Sequence, residues 1–210
     1  GINNCVFENI YLYAITGANK DQVNISNNRF NDIWNSAIYP GGITNLTISS
    51  NIFKRIGIAA PGRATDDVIS YKCINMNHSS GTVSNNILDS IGNNGIEYYQ
   101  NTLVEKNRIS RFCMTTDDGA GIVSHGTWNG IRNGTGCIVR YNIVSEPVGN
   151  SESYPFRPEP FVNGIGMDDN SGNAVIENNT VFNITGRGIS IHNSSANQIR
   201  NNTVFNCTNG

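Results

Sequence analysis

The chain has 210 residues, 14 Lys plus Arg against 16 Asp plus Glu, a net charge of −2, and only 14% charged residues. So weak a charge pattern leaves no electrostatic footprint for nucleic acid or an anionic membrane, and no run of about 18 apolar residues is present to span a bilayer. Gly1-Ile2-Asn3-Asn4 lacks the basic and apolar regions of a secretion signal, so a signal for a secreted or cell-surface protein is expected to lie outside these residues.

Asparagine and glycine dominate, with 35 Asn and 22 Gly, and the apolar residues are mainly Ile and Val, a mixture that disfavours helix. The apolar positions recur at fixed offsets from Asn, which a disordered coil would not require. The five cysteines, Cys5, Cys73, Cys113, Cys137 and Cys207, are scattered and form no CxxC pair, so they read as small core residues rather than zinc ligands or a disulfide framework.

In chain order one phrase repeats: INNCVF (2–7), ISNNRF (25–30), ISSNIF (48–53), VSNNIL (83–88), VEKNRI (104–109), VRYNIV (139–144), IENNTV (176–181) and IRNNTV (199–204). The anchors read as Asn4, Asn28, Asn51, Asn86, Asn107, Asn142, Asn179 and Asn202. Apolar and polar residues alternate around each, which predicts a short strand. A second apolar point follows five residues on, at Ile33, Ile56, Ile91, Phe112, Ile184 and Cys207. Most repeats then hold a further strand, often led by Gly: AIYP (37–40), VISYK (68–72), GIEYY (95–99), GIVSH (121–125), GIGMDD (164–169) and GISIH (188–192). Short strands without helices on a period of 21–24 residues predict an all-β fold, a right-handed parallel β-helix of about eight coils. Residues 1–210 form one such domain, expected to be monomeric and part of a longer β-helix. The anchors should stack at ~4.8 Å as an internal asparagine ladder.

Function is expected where the repeat is broken. With Ile69, Ile96, Ile122, Ile165 and Ile189 inward, alternation aims Lys72, Tyr99, His125, Asp168 and His192 outward in one row, beside Glu97. Ionisable groups so close perturb one another, the usual condition of an acid or base. Insertions at about 57–67, 126–135 and 148–163 should wall a groove and bring sugar-binding side chains: Trp128, Tyr154, Phe156, Arg157 and Phe161. The doublets Asp66-Asp67, Asp117-Asp118 and Asp168-Asp169 suit either a glycosidase carboxylate pair or a Ca²⁺ site. Asp118 and Asp168, on adjacent coils, are read as a pair near the ~5–5.5 Å of a retaining enzyme, slightly ahead of the wider Glu97–Asp168 inverting pair.

Asp118-Gly119-Ala120-Gly121-Ile122, Ser124-His125-Gly126-Thr127, Ile138-Val139-Arg140-Tyr141-Asn142 and Gly164-Ile165-Gly166-Met167-Asp168-Asp169-Asn170-Ser171-Gly172-Asn173 together resemble segments of the carbohydrate-active β-helix proteins of the pectate lyase-like superfamily, above all its glycoside hydrolases. The resemblance implies an acidic pair on neighbouring coils, Asp118 with Asp168 or Asp169. Val123 and Gly166 replace the usual aromatics, and the polygalacturonase pattern is not met. Three functions stay open. The first is a glycoside hydrolase acting on polysaccharide or oligosaccharide, with Asp118, Asp168 and Asp169 catalytic, His125 and Glu97 tuning, and Lys72, Tyr99, Trp128, Arg157 and His192 at the substrate. The second is a Ca²⁺-dependent polysaccharide lyase or uronate epimerase, and the third a non-catalytic carbohydrate-binding adhesin. No cofactor other than Ca²⁺ is expected.

Overall fold

The computed structural model describes residues 1–58, 71–126, 133–150 and 161–209. It is all β, with no helix among the described residues, and in particular none long and apolar enough to cross a membrane. The strands form three parallel sheets of eight, eight and seven strands, each coil giving one strand to each sheet except the last, which has described strands in the first two only. Sheet 1 runs from Ile2–Asn3 to Gln198–Arg200, sheet 2 from Val6–Ile10 to Thr203–Asn209, and sheet 3 from Tyr13–Ala18 to Ile189–Ile191. This is the expected parallel β-helix.

Register converts the repeat into columns. Ile25, Ile48, Val83, Val104, Val139 and Ile176 align inside sheet 1, and Ile38, Ile74, Ile96, Ile122, Ile165 and Ile189 inside sheet 3. The sheet 2 column begins with Phe7, Phe30 and Phe53, whose rings stack at 4.8 and 4.6 Å. All but the end members of these columns are buried.

The corner between sheets 1 and 2 belongs to the anchor asparagines. Asn107 Nδ2 donates to Asn142 Oδ1 on the next coil at 3.0 Å and to the Val83 carbonyl on the coil before at 2.9 Å. Its Oδ1 accepts from the Asn86 backbone N–H and from Asn86 Nδ2 at 3.0 and 2.9 Å. All four hydrogen-bonding positions of the amide are thereby used, and the same pattern runs from Asn28 to Asn202. The first coil departs from the expected ladder. Ile2 pairs with Ile25 and Asn3 with Ser26, so Cys5, not Asn4, stands level with Asn28, and it is the Cys5 N–H that donates to Asn28 Oδ1.

Asn4 occupies a different column, the left-handed residue before each anchor. Asn4, Asn27, Ser50, Asn85, Lys106, Tyr141, Asn178 and Asn201 have φ between 50° and 60°. Five residues later Asn9, Asp32, Arg55, Ser90, Arg111, Glu146, Asn183 and Asn206 are again left-handed. That second kink shifts the alternation by one, so both Phe30 and Ile33 face inward and the apolar point five residues after the anchor is explained. Asn tolerates this backbone better than other non-glycine residues, which accounts for part of its abundance.

A second correction concerns sheet 3. Residues 68–70 of VISYK lie outside the described residues, and the strand of that coil is Ile74–Asn75, with Ile74 paired to Ile96. Ile74 takes the place expected of Ile69, and the outer row passes through Asn77 rather than Lys72.

Asn107→Ala should lower stability by ~3 kcal/mol or more, because it strands the Asn86 N–H, one Asn86 amide hydrogen and the Val83 carbonyl at ~1–3 kcal/mol each. Cys5→Asn should extend the ladder and raise the urea midpoint instead. Equilibrium urea unfolding of the two variants beside the parent protein checks both signs.

Candidate functional site

The site lies on the outer face of sheet 3, where it leaves the sheet 2 corner. Gly95, Gly121, Gly164 and Gly188 precede the inward isoleucines. A Cβ on Gly164 would run into Val181 of sheet 2 and the Gly188 carbonyl, so only glycine lets the backbone pass this close. The bend also resets the alternation. Asn94, Ala120, Asn163 and Arg187, two places before each isoleucine, therefore face the cavity on the outer side of the sheet.

Here an open cavity of about 320 Å³ is lined by Asp118, His125, Phe161, Asp168, Asp169, Arg187 and His192, among others. Its floor is low because Gly166 stands next to Val123 in the column where Glu97 stands on an earlier coil. His125 pairs in register with Asp168, and the His192 N–H donates to the Met167 carbonyl on the coil before. The expected row His125, Asp168, His192 is therefore real.

Within it, His192 Nδ1 lies 2.7 Å from Asp168 Oδ1 and 3.6 Å from Asp169 Oδ1, and His125 Nδ1 lies 3.5 Å from Asp168 Oδ2. The Asp169 N–H donates to Asp168 Oδ1 at 2.9 Å. The hydrogen bond and charge of Asp168, with Asp169 behind, hold the His192 imidazole above its ordinary value of 6.5 against the opposing charge of Arg187.

Asp118 lies elsewhere in the cavity. It precedes the Gly119–His125 strand, level with Phe161, whose carbonyl accepts its N–H, whereas Asp168 is level with the last residue of that strand. Seven rises of ~3.3 Å, bent at Gly121, separate these levels, so Asp118 and Asp168 do not form the close pair expected from their adjacent coils. The carboxylates that do meet are Asp168 and Asp169, whose oxygens and His192 nitrogen lie within 4.8 Å of one another. Asp117 is buried and accepts the Phe161 N–H at 2.6 Å, which places it in the frame of the site.

Glu97 and Lys72 lie beneath the surface rather than in the cavity, 3% and 4% exposed, with Lys72 Nζ 2.5 Å from Glu97 Oε2. Burial pushes the Glu97 carboxyl up, but the charges of Lys72 and His125 and the hydrogen bonds of Lys72 and Tyr99 outweigh it and hold Glu97 below its usual range. The Tyr99 hydroxyl donates to Glu97 Oε1 at 3.1 Å, and burial, then Glu97, then Tyr39 push that phenol far above its ordinary value. Lys72 and Glu97 are thus a buried structural pair, not the substrate ligand and cavity acid expected of them. Trp128, Tyr154, Phe156, Arg157, Asp66 and Asp67 lie outside the described residues.

Arg187 is the lining residue that alternation alone misses. Its guanidinium sits 4.7 Å from the Phe161 ring centre, and it makes no ion pair among the described residues. A charged residue just ahead of the glycine that bends the strand is the signal that could have found it. As a metal centre, two carboxylates and an imidazole suit a transition metal better than Ca²⁺, which takes six to eight oxygens.

Lys72→Met should cost ~3–5 kcal/mol by leaving Glu97 charged and buried, and adding Glu97→Gln should recover part of the loss in the same unfolding assay. His192 should titrate above 6.5 by NMR and fall back toward it in Asp168→Asn. Because its folded value is raised, the pair's stabilisation is complete below the unfolded value and lost as pH rises through the folded one.

A family model described as a right handed beta helix region matches residues 72–210, more than half of the chain. No curated protein and no solved structure matches it. With three parallel sheets wound coil upon coil and this match across the site, the chain belongs to the right-handed β-helix family.

Proposed function

We propose that the chain is a carbohydrate-active protein, a glycoside hydrolase that cleaves polysaccharide in the sheet 3 cavity. The observation that carries this reading is the meeting of Asp168, Asp169, His125 and His192 in one open cavity that also holds Arg187 against Phe161. Asp168 accepts the Nδ1–H of His192 and stabilises its imidazolium form, whose Nε2–H protonates the leaving glycosidic oxygen. The attacking water bonds to the anomeric carbon from the face of the sugar ring opposite His192 as the glycosidic bond breaks and releases its proton to solvent, while Asp169, 3.6 Å from His192 Nδ1, helps to hold the imidazolium. Asp118 and His125 serve as hydrogen-bonding partners for sugar hydroxyls. Acid–base help of this kind supplies ~10²–10⁴ in rate. A polysaccharide substrate goes with a secreted or cell-surface location and with a monomer acting alone.

A second reading is favoured by one observation. Arg187 is a cation in the cavity without a carboxylate partner among the described residues, so it would suit the carboxylate of a uronate, as in a lyase or epimerase. A lyase would leave an unsaturated product absorbing in the ultraviolet.

The test incubates the parent protein and Asp168→Asn with neutral and uronic polysaccharides, following reducing ends and ultraviolet absorbance together. Reducing ends without absorbance, falling by ~100-fold or more in Asp168→Asn, are expected. Absorbance would replace hydrolysis with elimination. No product from any substrate would remove both.

A further inference from the structure

The outer face of sheet 3 continues past the cavity toward the first coils. Glu97 pairs with Val123, so Tyr99, two places further on, stands level with His125 one coil away. Around Tyr99 opens a second depression of about 250 Å³, lined by His78, Ser79, Ser80, Tyr99, Gln100, Asn101 and Asn133. The exposed His78 ring leans on Tyr99 at 5.0 Å and 52°. Further along the same face Tyr39 stacks on Tyr13 at 5.0 Å and 19°. Asn133 joins the two depressions, because it walls the second while its amide donates to the carbonyl of His125, which lines the first.

The lining has a chemical bias. It offers two ring faces, amides and hydroxyls, and no Asp, Glu, Lys or Arg. Aromatic faces with a few polar groups at the edge suit a ligand that is apolar on one side and hydroxylated around its rim. A neutral sugar ring has that form; a phosphate or a uronate carboxylate would find no fixed cation here.

We propose that this second depression is a distal subsite that stacks a neutral sugar ring on His78 and Tyr99, so that a polysaccharide chain is held along the solenoid axis across both depressions. The proposal rests on the carbohydrate reading of the cavity. It adds that recognition extends at least one coil, ~4.8 Å, beyond the acid–base groups, and that the sugar held there is uncharged.

His78→Asn tests this. His78 is left-handed, with φ of 60°, a backbone that Asn also accepts, so the ring is removed without straining the turn. Parent, His78→Asn and Asp168→Asn would be run by affinity electrophoresis through gels containing arabinoxylan, mixed-linkage β-glucan, galactomannan, polygalacturonate or alginate. The expected result is retardation of the parent and of Asp168→Asn by at least one neutral polysaccharide, with binding weakened ~3–10-fold in His78→Asn, the size of a lost ring contact. Equal retardation of His78→Asn and parent, retardation by the acidic gels alone, or none in any gel would overturn it. Binding that depends on His78 without turnover would keep the subsite and sink the hydrolase, whereas turnover with undiminished His78→Asn binding would do the reverse.

Discussion

From Asn28 onward each coil is tied to the next, beside the backbone pairing of the three sheets, by a buried asparagine amide. An asparagine amide has two donor hydrogens and two acceptor positions, and at the corner between sheets 1 and 2 all four are taken by groups of the neighbouring coils. Aspartate would lose both donors and serine one of the two. The ladder and the backbone pairing of the three sheets share one register, and a residue's column decides whether it is core, corner or surface. The left-handed residue ahead of each anchor and its counterpart five residues later keep both strands aimed at one interior.

Such a frame is uniform by construction, and the cavity exists because a few positions depart from it. Gly166 takes the side chain away from a column that is filled elsewhere, and Gly121, Gly164 and Gly188 let sheet 3 bend tightly over sheet 2. The ionisable groups of the cavity then come from three successive coils, with His125, Asp168 and His192 brought together by register alone. Beneath them the Lys72–Glu97 pair fills buried space with opposite charges, a pair whose removal by halves is more damaging than its replacement as a whole.

Much of this was legible in the sequence because period-two alternation and a repeated phrase are local signals. The row from Tyr99 to His192 followed directly from counting outward from buried isoleucines. Counting failed wherever the backbone does something a count cannot register. Asn4 looked like an anchor because it is an asparagine, whereas register gives the place to Cys5. Lys72 was misaligned because a long insertion precedes it and Ile69 resembles Ile74. Arg187 was hidden by the parity change at Gly188. The Asp118–Asp168 pairing confused neighbouring coils with neighbouring positions, since residues on adjacent coils can still lie a strand length apart.

The ladder has a polarity as well as a strength. From Asn28 to Asn202 every side-chain carbonyl points to the coil before and accepts from it, while from Asn28 to Asn179 an amide hydrogen points to the coil after. Aligned amide dipoles polarise one another, so the column behaves as a one-way wire inside the solenoid, electronegative toward the first coils and electropositive toward the last. A link broken in the middle therefore weakens its neighbours on both sides, and two stretches of this β-helix can join through the ladder only head to tail.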